Sequence, residues 1–206
     1  MILENMICIN LEKSKDKKES VSAEFDKYNM AVKFVIAVDG SEIDDNEHGL
    51  IGGYQALNQT IINILDEAID NKLDSITIFE DDVRFTEDPM KAVEGESIGG
   101  DCDVLYLGAR AFHATPKTES DRVFRLLSGA VLGHAIVIKK SMFDPWISQL
   151  EKFEKPSDLC LVDAYSEMNE DDNPKYKAYY FKPGIAYQEA GYSDNLNREC
   201  KKRWVD

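Results

Sequence analysis

Glu80, Asp81 and Asp82 stand side by side after the apolar, β-branched and aromatic run Ile76-Thr77-Ile78-Phe79, and Val83 turns apolar again behind them. Three like charges in a row repel one another, so a strand end gains nothing from them by itself. Two chemistries are open. One is a solvated acidic turn after a core strand; the other is a compact set of hard oxygen ligands suited to Mg²⁺ or Mn²⁺. Glu80 and Asp82 are two residues apart, so on extended backbone they face the same way. Acids at the carboxyl end of a sheet strand also stand where open α/β sheets take their ligands.

The elements that must position these acids can be read along the chain. Met6 to Leu11 is a first strand, and the charged stretch Glu12 to Tyr28 holds a helix. Phe34 to Val38 is a second strand, stopped by the turn dipeptide Asp39-Gly40 and an acidic loop from Glu42 to Glu47. After Gly52-Gly53, the residues Leu57, Ile61, Ile64, Leu65 and Ala68 form one apolar face of an amphipathic helix. The strand ending in the acidic triplet follows. Strand, helix, strand, helix, strand favours a mostly parallel sheet with crossover helices, an α/β fold.

Further on, Val104 to Leu107 and Val131 to Ile138 read as strands, and Lys139 to Phe153 as a helix broken near Pro145. Pro156-Ser157-Asp158 reads as a helix start with Ser157 as cap and Asp158 favoured by the helix dipole. A polar loop, Glu170 to Pro174, precedes a late strand, Lys177 to Phe181.

Composition narrows the function class. The 206 residues make one medium domain over 1–206, large enough to bury an ample core. With 24 basic against 39 acidic residues, the formal charge of −15 argues against non-specific binding to nucleic acid or anionic membrane. Basic residues cluster at Lys13, Lys15, Lys17 and Lys18, and again at Arg198, Lys201, Lys202 and Arg203; both runs read first as solvated surface. Cys8, Cys102, Cys160 and Cys200 are far apart without paired His, which excludes metal-finger spacing and argues against a disulfide framework. No leader pattern opens the chain and no apolar run approaches the roughly 18 residues of a membrane span, so a cytoplasmic protein with no membrane span is expected.

Several short pieces now fall into a recognisable order. They are Ile9 to Lys17, Ala37-Val38-Asp39-Gly40, Ile78 to Val83, Asp103 to Gly108, Gly133-His134-Ala135, Pro156 to Leu159, and Gln188 with Ser193-Asp194. In this order the chain resembles glycosyltransferase family 25, the lipopolysaccharide-type and collagen-type sugar transferases, whose catalytic domain has the GT-A fold. There are departures. Gly52-Gly53-Tyr54-Gln55-Ala56-Leu57 lacks the family's Ser-His pair, Ala135-Ile136 replaces its Ala-Tyr, and lysines replace the arginine expected after the first strand. The chain would be a distant branch.

The resemblance implies a GT-A-like, Rossmann-like single domain acting as a metal-dependent, inverting glycosyltransferase. The donor would be a nucleotide sugar, a UDP-sugar first among them, and the cofactor Mn²⁺ or Mg²⁺. The acceptor would be a hydroxyl on a saccharide or protein; the alternatives are a hydroxylated DNA base, as for a viral-type enzyme, or an inactive GT-A-like binding module. A carboxylate-held cation neutralises the leaving diphosphate, and the resemblance gives that place to Glu80 and Asp82, with Asp81 meeting ribose or sugar. Asn10, Lys13 and Lys17 would lie in the nucleotide-binding loop, and Asp39 with Gly40 beside ribose or base. Proton removal from the acceptor needs a base; Asp158 matches the family position, with Asp163 and Glu189 in reserve. His134, Gln188 and Ser193 would line the pocket. Each also has an ordinary reading: core histidine, loop polarity, helix-start or turn carboxylate.

Overall fold

The computed structural model describes residues 3–43, 50–96, 98, 100–116, 120–167, 175–193 and 198–200. In chain order the first elements are β1 (Met6–Asn10), α1 (Lys15–Lys27), β2 (Lys33–Ile36), α2 (Gly52–Asp70) and β3 (Ser75–Glu80). Then come β4 (Val83–Phe85), α3 (Pro89–Glu94), β5 (Val104–Tyr106), β6 (Arg110–Ala111), β7 (Ala114–Pro116), β8 (Val123–Leu126) and β9 (Ala130–Val131). The last are β10 (Ala135–Lys139), α4 (Phe143–Leu150), α5 (Ser157–Tyr165), β11 (Ala178–Phe181), β12 (Ala186–Gln188), β13 (Gly191–Ser193) and β14 (Arg198–Cys200).

Eight strands form one sheet in the order β2-β1-β3-β10-β5-β11-β8-β7. β10 and β8 run against the other six, so the sheet is mostly parallel by strand direction. Small antiparallel pairs, β4 with β12, β6 with β9 and β13 with β14, sit outside it. The α/β class read from the strand–helix alternation is the observed one.

Side-chain alternation divides the core into two layers. Ile7, Ile9, Ile76 and Ile78 face α2, α4 and α5, where they meet Ile61, Leu65, Trp146 and Leu161. Cys8 and Phe79, one residue out of phase, face α1 and α3 with Val21, Phe25 and Val93. Phe25, Phe79 and Phe85 form an aromatic cluster with centroids 5.3 and 5.7 Å apart along the chain of contacts Phe25–Phe79–Phe85. α1 buries only Val21 and Phe25 fully, a narrow edge one turn long on an otherwise charged helix.

The strands differ from expectation in informative ways. Val131 to Ile138 is not one strand: β9 ends at Val131, Leu132 adopts a left-handed φ of 70°, and β10 starts at Ala135. The break turns the Leu132 N–H toward Asp158 Oδ2, 3.3 Å away. The second strand ends at Ile36, because Val38 N–H is taken by Thr60 Oγ1 of α2 at 2.9 Å. Pro145 does not break a helix. It lies in the first turn of α4, which follows a 3₁₀ turn at Lys140–Met142, and a proline there gives up no helical hydrogen bond. Pro156 rather than Ser157 holds the cap place of α5, with no side-chain cap bond. The loop expected from Glu170 to Pro174, most of that from Glu42 to Glu47, and Lys201, Lys202 and Arg203 lie outside the described residues.

Candidate active site

β1 lies between β2 and β3, and both neighbours are parallel to it. The chain leaves β1 for α1 on one face and reaches β3 from α2 on the other. The crevice at the carboxyl ends of β1 and β3 is therefore a topological switch point, where open α/β sheets bind ligands. Asn10 ends β1 and Glu80 ends β3.

The acidic triplet divides across that crevice. Asn10 Nδ2 donates to Asp81 Oδ2 at 2.8 Å, and Lys17 Nζ stands 3.9 Å from Asp81 Oδ1, so the middle carboxylate is held on the α1 side. Gln188, at the end of β12, lies on the other side. Its amide nitrogen is 2.9 Å from Glu80 Oε2 and 3.3 and 3.5 Å from the two oxygens of Asp82. β12 pairs with β4 in a register that sets Gln188 opposite Val83, which is what brings one amide to two acids. The family-like position of Gln188 was visible in the sequence. The strand pairing that gives it this place was not, because β4 and β12 have three residues each.

Burial, and then the charges of Asp82, Asp81 and Asp158, push the Glu80 carboxyl above its ordinary range; the Gln188 hydrogen bond works in the opposite direction. Asp82 is raised by burial and then by Asp81, against Lys17 and Gln188. The two acids titrate as a pair and resist being charged together. That is the electrostatic condition a divalent cation relieves. Among the described residues no three His, Cys, Asp or Glu side chains converge as a metal site. Two carboxylates nevertheless fit Mg²⁺-type binding, in which substrate phosphates and water supply the other ligands.

Lys13 and Asp39 meet at 2.8 Å across the ends of β1 and β2. Lys13, then the Ser41 N–H and hydroxyl, hold the Asp39 carboxyl down at about 2. Gly40 is more than a turn residue: a Cβ there would lie 2.6 Å from Gly53 Cα and 2.7 Å from Gly53 N. The Asp39-Gly40 turn packs directly on the first turn of α2, and two glycines allow the approach.

Asp158 opens α5 on the far side of the crevice. Its Oδ1 accepts from Leu159 N at 2.8 Å and its Oδ2 from Leu132 N. Two bonds pin the segment before it: Asn58 of α2 donates to Lys155 O at 2.9 Å, and Trp146 Nε1 donates to Ser157 O at 3.1 Å. Between Asp158 and Glu80 lies a half-enclosed cavity of about 340 Å³, with Gln188 on its polar edge.

The other candidates lie farther out. Asp163, five residues beyond Asp158 on the same helix, is half-buried and paired with Lys155 at 2.6 Å. The Glu189 carboxylate is salt-bridged to Arg84, while its N–H donates to Asp82 O at 2.9 Å. His134 is fully buried and contributes its carbonyl, which accepts from Glu80 N at 3.0 Å. Ser193 sits on β13 opposite Arg198, in a two-stranded pair separate from the eight-stranded sheet. Tyr106 and Trp146, cavity walls, were not singled out in the sequence; their order along the chain carries no sign of it.

No protein-family model matches the chain, and no curated protein does. Solved structures with a similar fold include A197 from STIV, at 15% identity and TM-score 0.48, covering 98% of this chain and 95% of that one. A glycosyltransferase involved in the glycosylation of the major capsid of PBCV-1 matches at 9% identity and TM-score 0.40, over 68% of this chain and 61% of its own. Mannose-1-phosphate geranyltransferase from Thermus thermophilus matches at 9% identity and TM-score 0.38, over 85% and 58%. At these scores the reading of the site rests on its own residues. Among the described residues no helix is long and apolar enough to cross a membrane.

Proposed function

We propose that this chain is a GT-A-like, metal-dependent glycosyltransferase that moves a sugar from a nucleoside diphosphate donor, a UDP-sugar by its family resemblance, to an acceptor hydroxyl with inversion. One observation carries the reading. Glu80 and Asp82 share a single amide donor, Gln188, at the switch-point crevice, and the cavity lined by Glu80 and Gln188 holds a third carboxylate, Asp158.

Glu80 and Asp82 would hold Mn²⁺ or Mg²⁺, which when bound neutralises the charge developing on the leaving diphosphate. Asn10 fixes Asp81 toward α1, where the middle carboxylate can accept from ribose or sugar hydroxyls. Lys13 and Asp39 form the floor for the nucleoside, and Gly40 sets that floor against α2. Lys17 supplies positive charge beside the triplet. Asp158 takes the acceptor proton; its two backbone donors hold the carboxylate in place for that step. Asp163 and Glu189, each already engaged by a cation, are second choices for the same role.

Thermal unfolding with UDP and Mn²⁺ together, against either alone, tests the reading. A ligand that binds only the folded state at 100 times its Kd adds about 2.7 kcal/mol, so a clear joint upward shift is expected. No shift across a panel of nucleoside diphosphates with metal overturns the proposal.

A further inference from the structure

The cavity beside Asp158 has a chemical character of its own. Its inner walls are Ile9, Ile61, Ile78, Ile136, Leu161 and Trp146, side chains of the core layer beneath the sheet. Its hydrogen-bonding groups are few: the Glu80, Asp158 and Gln188 side chains, with Ser157, Tyr54 and Tyr106. No Lys or Arg is among the described residues that line it. A saccharide in such a space would set part of its hydroxyl shell against aliphatic walls, at a cost in lost hydration. A phosphate-bearing acceptor would meet the Asp158 carboxylate with no Lys or Arg side chain to pair with it.

The space is large enough to matter. A cavity of roughly 150 Å³ lined by Leu, Ile and Phe accepts benzene, so about 340 Å³ accommodates a bicyclic or branched body.

We infer that this cavity is the acceptor pocket, and that the acceptor is a neutral molecule, or the neutral end of a larger one, with a compact apolar body bearing the hydroxyl to be glycosylated. The assignment rests on the transferase reading above and narrows its acceptor to aromatic or branched aliphatic alcohols. The apolar body fills the isoleucine-lined depth and the hydroxyl points back to Asp158. In the reaction the acceptor oxygen forms a bond to the anomeric carbon as the bond from that carbon to the diphosphate oxygen breaks. The electron pair leaves with the nucleoside diphosphate, and the hydroxyl proton passes to Asp158.

Gly133 provides the test position. A Cβ at Gly133 would meet Ile136 Cγ2 at 3.7 Å and Tyr106 Cε1 at 4.0 Å, ordinary contacts, on backbone outside the left-handed region. Gly133→Ala therefore adds a methyl group at the cavity wall at little cost to the fold. Leu159→Trp, at an exposed cavity residue of α5, narrows it from another side if the first variant does not fold. Binding of 2-naphthol is measured by fluorescence, with methyl glucoside as competitor, and UDP–Mn²⁺ stabilisation is followed in the same samples. The expected result is saturable naphthol binding to wild type, at least about tenfold weaker in either folded variant, with no displacement by methyl glucoside. Absence of naphthol binding, equal binding in the variants, or displacement by the sugar overturns the pocket assignment. Loss of the UDP–Mn²⁺ response in wild type overturns the transferase reading instead, so the two failures are distinguishable.

Discussion

Asn10 donates to Asp81 across the ends of β1 and β3, and this bond turns the middle acid of the triplet away from the two acids that flank it. Without it, three carboxylates would compete for one side of the crevice. The contact couples the first strand to the site through a side chain 6% exposed. Asn10→Ala leaves a half-buried carboxylate short of its donor, so urea denaturation should show a loss of about 1–3 kcal/mol. An unchanged midpoint would mean that Lys17 or water replaces the amide fully.

The coupled acids predict a pH signature. Burial and the Asp82 charge hold Glu80 above the ordinary carboxylate range. A carboxyl whose folded-state pKa exceeds its unfolded value is ionised first in the unfolded chain. Metal-free protein therefore loses stability as pH climbs from the ordinary range through the raised value. Glu80→Gln removes that loss. Relative to wild type, the variant should gain at least about 1 kcal/mol between about pH 5 and about pH 8 in metal-free buffer. A gain independent of pH would show that Glu80 titrates normally.

Gly40→Ala forces a Cβ to within 2.6 Å of the α2 backbone at Gly53. Neither side is a flexible side chain, so the turn must shift, at a cost of about 1–3 kcal/mol. Because Asp39 sits in that turn and Lys13 pairs with it, affinity for UDP should fall as well. Calorimetry on the folded variant separates the two effects; full UDP affinity would place the nucleoside elsewhere.

Asp158 and Asp163 are two carboxylates on one helix with different surroundings. Asp158→Asn should reduce transfer by roughly a hundredfold or more while UDP–Mn²⁺ binding stays near wild type. Asp163→Asn breaks an exposed pair with Lys155, worth about 0–1 kcal/mol, and should leave transfer unchanged. Reversed outcomes would exchange their roles.

The long elements of the sheet were legible because their patterns were strong. Ile76 to Phe79 is apolar and bounded by charge, and the Leu57-to-Ala68 face repeats at helical spacing. What escaped reading was short or set by distant partners. β4 and β12 each have three residues, too few for a period, yet their pairing carries Gln188 to Glu80 and Asp82. The break at Leu132 has no proline or glycine at its own position, so the run from Val131 read as continuous strand. Gly40 announced a turn, while its contact with Gly53 depends on where α2 begins. Residue types told which acids could do chemistry; only the register told which of them stand together.

Whether Glu80 and Asp82 hold the cation of a nucleoside diphosphate pocket is decided by titrating Mn²⁺ into the protein with saturating UDP and following the free ion by electron paramagnetic resonance. One bound ion is expected in wild type, with at least about tenfold weaker binding in Asp82→Asn and in Glu80→Gln, the usual scale for losing a metal-site partner. Wild-type affinity retained in both variants, with both still folded, would contradict that assignment.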